Sequence, residues 1–60
     1  MHTLKVVGCD EHDHVAVYFD GSLVYQNALA PEALFRLAAH QKWKVVVERL
    51  TTDEYERRYA

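Results

Sequence analysis

Sixty residues, half of them hydrophobic, with two Gly and one Pro, make one folded domain spanning 1-60 and exclude a disordered or low-complexity chain. A formal net charge of -2 argues against a general nucleic-acid binder, and a single cysteine excludes an internal disulfide. A domain this small buries only about 60% of the surface its unfolded chain exposes, so a second subunit or a metal is expected to supplement its core.

Thr3 to Cys9 (TLKVVGC) is rich in β-branched residues and partly alternates, with Leu4 and Val6 on one side and Lys5 and Val7 on the other. It is read as the first strand, and Gly8 near its end suits a bulge. Asp10-Glu11-His12-Asp13 supplies a polar connection into the stretch His14 to Gln26. There, two β-branched and aromatic runs flank Asp20-Gly21, the dipeptide that most favours a two-residue hairpin turn, because Gly takes positive φ freely and Asp tolerates it. A type I′ turn pairs Phe19 with Ser22, Tyr18 with Leu23, Val17 with Val24, Ala16 with Tyr25 and Val15 with Gln26. One face then carries Val15, Val17, Phe19 and Val24, and the other Ala16, Tyr18, Leu23 and Tyr25.

Pro31 has a fixed φ suited to the first helical position, and Glu32 follows at the positive end of the helix dipole. A helix is predicted from Pro31 to about His40, with Ala33, Leu34, Leu37 and Ala38 in an apolar stripe that Phe35 extends. Trp43 to Leu50 alternates as a fourth strand, Trp43, Val45 and Val47 on one face and Lys44, Val46 and Glu48 on the other. A right-handed crossover from the third strand places it parallel to the first, in the spatial order 3-2-1-4. Thr51 with Glu54 fits a capping box that opens a short C-terminal helix running to Ala60, whose Tyr55 and Tyr59 share a face. The fold class is therefore α+β: a small four-stranded mixed sheet, β-β-β-α-β, with a C-terminal helix.

The densest chemical cluster is Cys9-Asp10-Glu11-His12-Asp13-His14. Thiolate and imidazole are ligands that zinc prefers, so Cys9, His12 and His14 form the candidate metal site, although the paired C-x2-4-C or H-x3-5-H modules of structural zinc sites are missing. The same residue types could compose a nucleophile, base and orienting acid. Such triads are normally assembled from distant segments in a cleft, and a small domain has little volume for one, so the chain is read as non-catalytic with no cofactor but, as an alternative, zinc. Gly8 and Gly21 stand apart, with no phosphate-cradling loop between them. Arg36, Lys42 and Lys44 make a basic cluster near which Tyr18, Tyr25 and Trp43 could stack bases, the alternative nucleic-acid reading, which the acids of the first half oppose.

One long helix covers one face of a sheet that is apolar on both. Tyr18, Leu23, Tyr25, Tyr55 and Tyr59 are accordingly expected to line an interface, and the uncharged strand Leu23-Val24-Tyr25-Gln26 to offer an unblocked edge. The expected role is a non-catalytic interaction or regulatory module, a homodimer whose acidic first half also suits a basic protein partner. The start carries no export signal and no apolar stretch spans a bilayer, so a cytoplasmic location without membrane contact is expected.

Overall fold

A computed structural model describes residues 1–59, with backbone alone at position 28; Ala60, the expected end of the last helix, lies outside the described residues. The elements are β1 (Thr3–Cys9), β2 (His14–Phe19), β3 (Ser22–Leu29), α1 (Glu32–His40), β4 (Lys44–Leu50) and α2 (Thr52–Tyr59). The strands form one sheet in the order β3-β2-β1-β4, with β1 antiparallel to β2 and parallel to β4. This is the α+β topology expected from the sequence. Pro31 sits one position earlier than expected, at the N-cap with φ -81°, and its carbonyl accepts the Leu34 and Phe35 N–H groups at 3.0 and 3.1 Å.

The β2–β3 turn is built on Asp20 and Gly21, with φ of 49° and 87°. Asp20 is also bolted to the start of β1. Its Oδ1 accepts the Thr3 N–H at 2.8 Å, its Oδ2 lies 2.7 Å from His2 Nδ1, and its own N–H donates to the Thr3 carbonyl at 2.9 Å. Those bonds, the Thr3 N–H foremost and His2 next, hold the Asp20 carboxyl below the usual carboxylate range.

Beyond the turn the pairing departs from the simple register. Phe19 faces Ser22 and Tyr18 faces Leu23 as expected, but Val17 faces Tyr25 and Val15 faces Ala28, because the ladder is interrupted between each of these pairs. Extra residues on β3, one of them near Asn27 with φ 55°, absorb the difference. The consequence is a change of face: Tyr25 belongs with Val17 rather than with Ala16 and Tyr18. No bulge forms at Gly8, whose pairings to Val15 and Arg49 are continuous with their neighbours.

Each face of the sheet has its own core and its own helix. Leu4, Val6 and Val17 pack with Ala38 of α1, joined by Val15, Phe19, Tyr25, Leu34, Phe35 and Trp43. Val7, Cys9, Ala16 and Leu50 pack with Tyr55 and Tyr59 of α2, joined by Tyr18. The expectation of an uncovered second face is thereby corrected, since α2 is a lid and not an appendage. Its entry is fixed by Thr51, whose hydroxyl accepts the Glu54 N–H at 3.2 Å and donates to the Glu54 carboxylate at 3.0 Å. Acids in its first turn and Arg57 and Arg58 in its last complement the helix dipole.

Candidate functional site

The β1–β2 connection brings two of the three expected metal ligands together. Cys9 ends β1 with its side chain buried, and its Sγ lies 3.3 Å from Nδ1 and 3.2 Å from Nε2 of His12. His12 Nδ1 also accepts the His14 N–H at 3.2 Å. His12 also rests edge-on against Tyr55, with ring centroids 5.4 Å apart. The His14 ring meets it edge-on at 5.2 Å between centroids but is exposed, and among the described residues no group of three His, Cys, Asp or Glu side chains converges on one point. Beside this turn lies a cleft of 570 Å³ whose walls include Val15 and Leu29 together with His12, Asp13, Glu32 and Arg49. Arg49 leans toward Asp10, 3.6 Å away.

The five expected interface residues have different fates. Tyr55 and Tyr59 are 2% and 7% exposed, spent inside the chain on the face they were expected to leave open. Tyr18 is half-buried beside them, its hydroxyl 2.6 Å from that of Tyr59, and the hydrogen bond to Tyr59 followed by burial raises its pKa. Tyr25 is carried by the bulge into the α1 core, its hydroxyl donating to the Leu29 carbonyl at 2.6 Å. Leu23 remains exposed on β3.

The basic cluster is scattered rather than focused. Arg36 lies on the exposed surface of α1 within 3.9 Å of Glu32, Lys42 occupies the turn after α1 with φ 58°, and Lys44 begins β4. The aromatic rings expected to serve as stacking platforms, Tyr18, Tyr25 and Trp43, are packed against the two cores.

Among the described residues the sheet has two edges without a partner strand, β3 and β4, and the regular one is the outer edge of β4. Its seven residues pair with β1 in unbroken register from Thr3↔Lys44 to Cys9↔Leu50, so the strand is regular, with no proline and no bulge. Val45 and Val47 project on the α1 side, yet they are 46% and 75% exposed. Sequence alternation sets them on one face with Trp43 and cannot tell that this part of the face is uncovered. The signal that would have corrected this is the strand order itself, which makes β4 terminal, so α1 lies beyond reach of its outer side chains. The opposite edge is different in kind, because β3 is bulged twice and Asn27 donates to the Tyr59 carbonyl at 2.7 Å, turning that edge inward.

Fold and surface together define a small two-core α+β domain with one regular sheet edge left open. Comparison of the chain with protein-family models, with curated proteins and with solved structures returns no match.

Proposed function

We propose that the chain is a non-catalytic interaction module that acts as a homo-oligomer, with its open sheet edge as the contact. The observation that carries this reading is Val47, three-quarters exposed on a regular strand whose outer backbone groups have no partner strand among the described residues. Such an edge is a template for pairing unless charge, proline or a bulge blunts it. Small domains also gain from a partner the stability their cores lack. The acidic first half is less available than composition suggests, because Asp10 and Asp20 already face Arg49 and His2. Among the described residues no helix is long and apolar enough to cross a membrane. The unpaired thiol of Cys9 favours a reducing compartment, and the cytoplasm is the proposed location. The test is mass in solution across a dilution series: a dimer at high concentration supports the reading, and a monomer throughout removes it.

A second reading, a metal-binding turn, rests on the 3.2 Å approach of Cys9 Sγ to His12. Zinc would use the thiolate and one imidazole nitrogen, with His14 needing to swing in to join them. Metal analysis of protein purified without a nickel column tests it. One zinc per chain, lost in Cys9→Ser, supports it, and a stoichiometry near zero discards it.

A further inference from the structure

We propose that two copies of this chain join β4 to β4, antiparallel, about a two-fold axis passing beside Val46, so that the two sheets become one. The proposal rests on the self-association reading above and specifies where and in what register it happens.

Backbone direction comes first. The Lys44 N–H donates to the His2 carbonyl at 3.0 Å. In a parallel ladder the residues that turn their N–H and C=O toward one neighbour alternate, so Lys44, Val46 and Glu48 address β1 while Val45, Val47 and Arg49 present theirs to the open edge. An antiparallel partner must therefore set outward residues opposite outward residues. Registers shifted by a single residue are excluded.

Side chains then choose among the allowed registers. With the axis at Val46, Val45 stands opposite the partner's Val47 as a hydrogen-bonded pair, and Lys44 opposite the partner's Glu48. Symmetry repeats both pairs. The exposed valines are thus covered on the α1 side and opposite charges meet on the α2 side, where Glu48, already 3.2 Å from Lys5 of its own β1, gains the partner's Lys44 as a second cation, from a sequence, Lys-Val-Val-Val-Glu, whose charges are placed evenly about its centre. Moving the axis to Val47 sets Val45 against the partner's Arg49 and Val46 against the partner's Glu48. Moving it to Val45 sets Lys44 against the partner's Val46. Either shift still leaves a valine facing its own copy on the α1 side but separates Lys44 from the partner's Glu48, so only the axis at Val46 satisfies both kinds of match. The two-fold axis also closes the assembly, so the edge is consumed instead of being passed on to form a fibre.

The test is charge complementation with two variants of the full chain, Lys44→Glu and Glu48→Lys, compared by sedimentation and native mass spectrometry, with circular dichroism confirming their folds. In either variant alone, like charges face each other twice across the axis, and dimerisation should weaken by roughly tenfold or more. Mixed in equal amounts, the two place opposite charges together at every such position and should form the heterodimer at near wild-type strength. Val46→Cys supplies an independent readout, since facing residues at a non-hydrogen-bonded antiparallel pair lie within disulfide reach. It should cross-link to a dimer on mild oxidation, whereas the wild type, with Cys9 buried, should not. A dimeric wild type whose variants fail to complement and whose Val46→Cys form stays unlinked overturns this arrangement and leaves self-association standing. A wild type that is monomeric at all concentrations overturns both.

Discussion

Replacing Tyr55 by Ala tests whether α2 is a structural lid. Tyr55 is 2% exposed and is among the largest fully buried side chains, set against Tyr59 at 4.9 Å between ring centroids and against His12. Truncating a buried aromatic to Ala costs about 3–5 kcal/mol through lost transfer free energy and the cavity left behind. A domain of this length has a total stability of roughly 3–9 kcal/mol, at about 0.05–0.15 kcal/mol per residue. One substitution should therefore consume anything from about a third of the margin to all of it. Urea titration at fixed protein concentration, followed by Trp43 fluorescence, is the informative assay, because Trp43 belongs to the core on the opposite face of the sheet. With a small-protein m-value near 1 kcal/mol per molar urea, the midpoint should fall by about 3 M or the variant should be unfolded outright. A Trp43 midpoint within about 0.5 M of wild type would show that α2 contributes nothing to the cooperative unit, and the two-core description would fail.

Further outcomes follow from individual contacts. Asp20→Asn removes a carboxylate whose pKa is depressed by the Thr3 N–H and His2. A depressed carboxylate stabilises fully above the ordinary carboxylate range and loses its effect as pH falls through its lowered value, so the melting-temperature gap between wild type and variant should close on acidification; a gap constant down the acid limb contradicts this. Burial raises the Tyr55 phenol, and the Tyr59 hydroxyl with burial raises that of Tyr18, so their contribution is complete below the ordinary phenol range and disappears at higher pH. Difference absorption should find tyrosines titrating late, and Tyr59→Phe should bring Tyr18 back toward normal; an unaltered titration curve would show that the pair does not couple. Gly21→Ala should destabilise by about 1 kcal/mol in thermal melts, because φ is 87° although no atom lies within 4 Å of the added carbon, whereas Gly8→Ala, whose new carbon meets Val15 at an ordinary 3.8 Å, should be nearly silent. Equal effects at the two glycines would refute that contrast.

The elements were legible because local chemistry decided them. Asp20-Gly21 dictated the hairpin, Pro31 and Glu32 the start of α1, Thr51 and Glu54 the start of α2, and handedness the position of β4. Facing was harder to read. A bulge costs one residue and leaves no mark in an alternating run, so Tyr25 moved to the other side of the sheet. Tyr55 and Tyr59 were visible as an aromatic stripe, but a stripe seeks any apolar surface, and the nearest was the chain's own Val7, Ala16 and Leu50. Val45 and Val47 share the face of Trp43 as their alternation indicates, yet they are exposed, because period-two alternation identifies a shared face without showing whether anything covers it. In the Cys9–His14 turn the sequence displayed all three candidate ligands, while side-chain direction, which spacing does not encode, joined Cys9 to His12 and left His14 outside.

Amide hydrogen exchange along β4, recorded above and below the concentration at which the dimer dissociates, addresses the open edge most directly. Val46, hydrogen-bonded to β1, should be protected in both conditions. Val45 and Val47 should exchange slowly when concentrated and rapidly when dilute. Rapid exchange of Val45 and Val47 at every concentration would contradict the account, since their backbone groups would then face water and not a second chain.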